Sequence, residues 1–114
     1  MALTSEEKRR RAERHCAFID QQIKALDAEL TLPARNEREF QWWRQGLLRK
    51  YASANDASLE SRLEELRGQV RPETWAVRHR MSRAQAKDEA EWRAVCEAVI
   101  IEYLLGLYPP GGEE

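Results

Sequence analysis

Two histidines and two cysteines are the side chains of this 114-residue chain best suited to chemistry, and their spacing gives them little to do. His15 and Cys16 are neighbours, and adjacent residues on a helix point about 100° apart, so they cannot hold one metal together. No Cys-x-x-Cys and no His-x-x-x-His pair occurs, so the ligand spacing of a zinc site is missing. Cys96 lies in an apolar run, where a thiol acts as a small core residue. Gly46, Gly68 and Gly106 are isolated, which leaves no phosphate-cradling loop. Glu64 and Glu65 sit on an ordinary charged helix face. The expectation is a non-enzymatic protein with no catalytic residue, metal or cofactor.

One short pattern has an enzymatic look. Arg10 and His15 fit Arg-x4-His, and Arg9 and His15 fit Arg-x5-His. This resembles the motif of HEPN ribonucleases, which are small helical bundles. The match covers seven residues on the first helix, whereas the family carries its motif near the last. In so arginine-rich a chain it is read as coincidence. A helix-turn-helix is set aside too, because Glu64 and Arg67 stand where its turn needs small apolar residues.

Charge and aromatics say more. The formal net charge is −1, so no polyanionic partner is implied by the whole chain. Residues 35–50 nevertheless carry five basic against two acidic side chains, residues 71–87 five against one, and residues 88–114 one against seven. Within the first stretch, Phe40, Trp43, Leu47, Leu48 and Tyr51 fall in one arc of a helical wheel. Trp42 falls outside it, among Arg35, Arg38 and Arg49. An aromatic on a basic face covers a second element or meets a partner, and tryptophan and arginine dominate interface hot spots. Trp42, Arg35, Arg38 and Arg49 are therefore the partner-binding candidates. Arg71, Arg78, Arg80, Arg83 and Lys87 are candidates for contacting a phosphate backbone.

The elements that would position these residues are all helical. A first helix is expected from Thr4, with Glu7 completing a capping box, to about Leu30, on the seam Ala12, Cys16, Ile19, Ile23, Leu26, Leu30. Its first turns are polar on all sides and are expected to project. A second helix starts at Pro33 or Asn36, and a third runs from about Ala57 on Leu59, Leu63, Leu66 and Val70 until Gly68 interrupts it. Pro72 opens a short fourth. The fifth is expected from a Ser82–Gln85 cap to about Leu105, with one helix from Pro72 to Leu105 as the alternative. This last helix is apolar nearly all round, interrupted by Glu97 and Glu102, and should be central or an oligomer interface.

Two cysteines without framework spacing suit a reducing compartment. The N-terminus lacks the apolar segment of a secretory signal, Glu6, Glu7 and Glu13 argue against a transit peptide, and no apolar run reaches the ~20 residues of a membrane span. The expectation is an all-α bundle of four to five helices: a long N-terminal antiparallel hairpin and a nearly all-apolar C-terminal helix. Residues 1–108 should form one domain, and 109–114 a disordered tail. Function is expected to be that of a cytoplasmic, homodimeric accessory or regulatory subunit that binds a larger protein, with no membrane partner. The alternative is an arginine-rich subunit of a nucleoprotein complex on DNA or RNA.

Overall fold

The computed structural model describes residues 2–29 and 31–108. Leu30, expected on the first helical seam, and the tail 109–114 lie outside the described residues. The described chain is helical: α1 (Ser5–Asp27), α2 (Leu32–Ala52), α3 (Asp56–Arg67), α4 (Pro72–Ala76) and α5 (Glu89–Leu105), with a single 3-10 turn at Arg83–Gln85. No strand occurs among the described residues, and no described helix is long and apolar enough to cross a membrane. The chain divides into two compact units, Leu3–Ser53 and a second from Ala54 onward.

The first unit is the antiparallel α1–α2 hairpin. Thr4 starts α1 by the expected reciprocal cap: its Oγ1 accepts the Glu7 N–H at 3.1 Å, and Glu7 Oε1 accepts the Thr4 N–H at 2.9 Å. Thr31 starts α2, its Oγ1 accepting from Ala34 at 3.2 Å, with Pro33 in the first turn where its missing N–H costs nothing. Ala12, Ile19 and Ile23 of the α1 seam are buried, and so is Lys8, in the turns expected to project. A lysine stem can lie on apolar surface. On α2, Phe40, Leu48 and Tyr51 are buried as the arc requires. Trp43 and Leu47 are only half-buried, while Gln41 and Gln45 are buried.

The reason is that the helices meet through polar groups. Gln45 Nε2 donates to the Cys16 carbonyl at 3.0 Å and to Asp20 Oδ1 at 2.6 Å. Arg38 reaches Asp27 at 2.7 Å, and Arg44 donates to His15 Nε2 at 3.1 Å. His15 to Asp20 on α1 meet Arg44 and Gln45, whereas Asp27 near the α1 end meets Arg38 near the α2 start, which fixes both the antiparallel sense and the register.

In the second unit α3 packs on α5. Asn55 caps α3 through its side chain, and Leu59 and Leu66 are buried. Gly68 closes α3, Pro72 opens α4, and α4 ends within five residues. A continuous helix from Pro72 to Leu105 is thereby excluded. The Ser82–Gln85 capping box does form, Ser82 N–H meeting Gln85 Oε1 at 2.7 Å, but it closes only the 3-10 turn. Ala86 then turns extended, and α5 starts later than expected, capped by Asp88 Oδ1 on the Glu91 N–H at 2.9 Å. Gly106 ends α5 at φ 82°, with Leu107 N–H on the Glu102 carbonyl at 2.8 Å and Gly106 N–H on that of Tyr103 at 3.3 Å. This is the left-handed helix stop that glycine permits.

The two helical glycine positions should respond oppositely to alanine. A Cβ at Gly46, in the middle of α2, meets nothing within 4 Å, so Gly46→Ala should stabilise by about 0.5–1 kcal/mol in urea unfolding. Gly106→Ala forces a side chain into the left-handed region and should destabilise by about 1 kcal/mol.

Candidate functional site

The chemistry of the second unit is set by three glutamates on α5. Glu91, Glu97 and Glu102 have 2 %, 8 % and 6 % of their side chains exposed. A carboxylate taken out of water must be paired or protonated. Each meets a guanidinium in a two-point contact. Arg62 places Nε 2.8 Å from Glu97 Oε2 and NH2 3.2 Å from Oε1. Arg71 places Nε 2.9 Å from Glu91 Oε2 and NH2 2.8 Å from Oε1. Arg78 places Nε and NH2 each 2.8 Å from the two oxygens of Glu102.

Glu91 is the most heavily served. It also accepts the backbone N–H groups of Lys87 at 2.7 Å and Arg71 at 3.0 Å. The Arg71 guanidinium, aided by these amides against burial, holds its carboxyl down to about 2. Burial pushes Glu102 the other way, but Arg78 and then His79 bring it below its ordinary value. His79 Nε2 lies 3.0 Å from Glu102 Oε1, and its ring stacks on Tyr108 at 4.4 Å. The Arg78 guanidinium also sits 4.2 Å from the centre of the Trp75 ring.

The sequence-derived phosphate candidates therefore separate. Arg71 and Arg78 are engaged by buried carboxylates within the fold. Arg83 is 3.6 Å from Glu89, and both are about half-exposed. Arg80 and Lys87 are exposed. The Arg80 side chain has no hydrogen-bond or ion-pair partner among the described residues.

In the first unit the partner candidates share one flank. At 100° per residue, Arg38, Arg49, Trp42 and Arg35 lie within an arc of roughly 60° on α2, and no carboxylate falls inside it. Trp42 is 51 % exposed. The Arg38 guanidinium lies 5.4 Å from the Trp42 ring centre while NH1 is tied to Asp27. Arg35 and Arg49 are exposed, and their side chains have no hydrogen-bond or ion-pair partner among the described residues. Arg49 also lines a groove of about 410 Å³ between α1 and α2. Its depth comes from Ala12, Ala17 and Ala52, which stop at Cβ, and its rim from Arg9, Glu13, Asp20 and Arg49. Cys16 lies in the same groove. Burial raises its thiol pKa against the opposing pull of Arg49, so it is poorly suited to nucleophilic work.

Arg10 and His15 are not brought together. Arg10 pairs with Glu6 at 3.4 Å, both exposed, whereas His15 accepts from Arg44. Burial first, and the Arg44 charge second, lower His15 from 6.5 to about 4. No group of three or more His, Cys, Asp or Glu able to hold a metal occurs among the described residues. The sequence reading missed the buried glutamine pair and the part played by Glu91, Glu97 and Glu102. A signal for the second existed: a helix buried nearly all round cannot carry three carboxylates without cations, and arginines precede it. Neither a family model, a curated protein nor a solved structure matches this chain.

These titrating groups give two acid windows. His15 is harder to protonate folded than unfolded, so its contribution is complete above pH 6.5 and is lost as pH falls toward 4. Glu91 has a depressed folded value, so its contribution is complete above 4.5 and is lost as pH falls toward 2. Urea unfolding against pH should show both, with His15→Gln removing the upper slope and Glu91→Gln the lower. At neutral pH, Glu91→Gln should also destabilise, since the buried side chain loses its charge-assisted contacts with the partly exposed Arg71.

Proposed function

We propose that this chain is a small, non-catalytic, cytoplasmic accessory or regulatory subunit that docks a helix face onto a larger protein. The observation that carries this reading is Trp42. Its indole is half-exposed although the hairpin interface closes without it, and Arg38, itself fixed by Asp27, lies beside it. A large side chain held in one place loses little entropy on binding. Its neighbours Arg35 and Arg49, whose side chains are unpaired among the described residues, add contacts of the kind that hot spots favour.

A nucleoprotein subunit is the second reading. It would rest on Arg80, Arg83 and Lys87, because Arg71 and Arg78 face inward to Glu91 and Glu102. Self-association belongs to the proposal through α1 rather than α5. Phe18 on α1 is 55 % exposed, whereas Ile100, Ile101, Leu104 and Leu105 of α5 are covered within the single chain.

The test is affinity capture from the native host, with nuclease present, using the wild type and Trp42→Ala. A stoichiometric protein partner should survive nuclease. Trp42→Ala should weaken it by about 2 kcal/mol, or roughly thirtyfold, with its melting curve unchanged. Loss of the partner on nuclease treatment would favour the second reading. A collapse of the melt would make Trp42 a core residue and remove the proposal's anchor.

A further inference from the structure

The Trp42 flank and the groove beside it have a definite chemistry, which narrows the occupant. The arc of α2 that faces outward carries Arg35, Arg38 and Arg49 and no carboxylate. Arg38 is the one of these three already spoken for, by Asp27. The Arg35 and Arg49 side chains have no hydrogen-bond or ion-pair partner among the described residues, in a protein that elsewhere supplies a guanidinium to each buried carboxylate of α5. The groove is lined by alanines, with Arg49 on α2 and Arg9, Glu13 and Asp20 on α1, so its own rim is balanced in charge and the excess of cations comes from the α2 flank. Trp42 stands two helical turns along α2 from Arg49, at about 10 Å by helical rise.

Resting on the docking role proposed above, we infer that this flank binds an acidic amphipathic segment of another protein. One apolar side chain enters the alanine-floored groove, a second packs on Trp42, and flanking carboxylates pair with Arg35 and Arg49. An apolar anchor spaced about seven residues from the next on a partner helix would match the separation of Trp42 from Arg49. Charge selects the partner as much as shape does. A basic segment would meet three arginines on the α2 flank, against which Glu13 and Asp20 on α1 offer only a partial balance, and like-charge juxtaposition rejects wrong partners. Nucleic acid satisfies the arginines but has nothing to place in an apolar groove.

A fluorescein-labelled helical peptide of glutamate and leucine, with the leucines on one face, is the probe, read by anisotropy on the full chain. It should bind, and more weakly as salt rises. Its lysine-for-glutamate and alanine-for-leucine counterparts should bind about tenfold more weakly or worse. Arg35→Glu, Arg49→Glu and Trp42→Ala should each weaken the glutamate peptide by about tenfold, and so should Ala17→Leu, which fills the groove from an exposed position on α1. Arg80→Glu should change nothing. Equal binding of the lysine peptide, indifference to Ala17→Leu, or an equal loss in Arg80→Glu would overturn the inference. So would displacement of the peptide by a tighter-binding single-stranded oligonucleotide that needs Arg35 and Arg49. If Trp42→Ala weakens the native complex while the glutamate peptide fails to bind, docking stands and the acidic occupant falls. If the peptide binds as described but no nuclease-resistant protein partner exists, the docking role falls instead.

Discussion

Neutralising the carboxylates of α5 is the constraint on which the second unit depends. A helix that is buried over most of its surface would ordinarily be apolar throughout. This one carries Glu91, Glu97 and Glu102 at positions with 8 % side-chain exposure or less. Each would have to be protonated or paired, and pairing decides the path of the chain around it. Arg62 comes from α3, Arg71 from the residue before α4, and Arg78 from the residues just after α4. Three points along the preceding chain are thus pinned to three points on α5. The irregular stretch between α4 and α5 is held by the same means, since Glu91 also takes the Lys87 amide and Arg71 reaches the Gln85 carbonyl at 3.3 Å.

Such pairs do not imply high stability. The desolvation of two ions can match or exceed their attraction, and well-packed apolar replacements are often as stable. What the pairs impose is a unique arrangement. An apolar α5 could slide or rotate against α3 at small cost, whereas a two-point guanidinium–carboxylate contact tolerates neither. The hairpin uses the same logic with weaker parts. Its helices meet through Gln45, Asp20, His15 and Arg44 as well as Ile19 and Leu48, so a slip by one turn would strand a buried amide.

These devices explain which parts of the fold could be read from sequence. Capping is local chemistry, and Thr4, Pro72 and Gly106 act where their types imply. The Ser82–Gln85 box was legible as well, but a cap states only that a helix can start. Whether it continues depends on what the next residues meet, and here Asp88 and the demands of Glu91 restart the helix later. Helical periodicity assigned Phe40, Leu48 and Tyr51 to the buried face correctly. It could not show that Gln45 would be buried, because a glutamine is buried only when specific partners exist, and its partners Cys16 and Asp20 lie on another helix. Glu97 and Glu102 were read as interruptions of an apolar pattern for the same reason: their arginines are distant in sequence.

Pairing also separates the arginines that hold the fold from those left for function. By sequence alone, Arg71, Arg78 and Arg49 are equivalent members of basic stretches. In the fold, Arg71 and Arg78 are each held at two points by one buried carboxylate, and diverting either to a phosphate would take the guanidinium from Glu91 or Glu102. Evenness of charge along the chain is therefore a poor guide to what a surface can attract. Among the charges that make up the near-neutral total, Glu91, Glu97 and Glu102 are taken up by arginines that they physically engage. Once those pairs are set aside, the hairpin flank around Trp42 is left with Arg35 and Arg49, whose side chains no anion pairs with among the described residues. A cation kept in water beside an exposed indole contributes little to folding. Its position makes more physical sense as one half of a contact, with the other half on a different molecule.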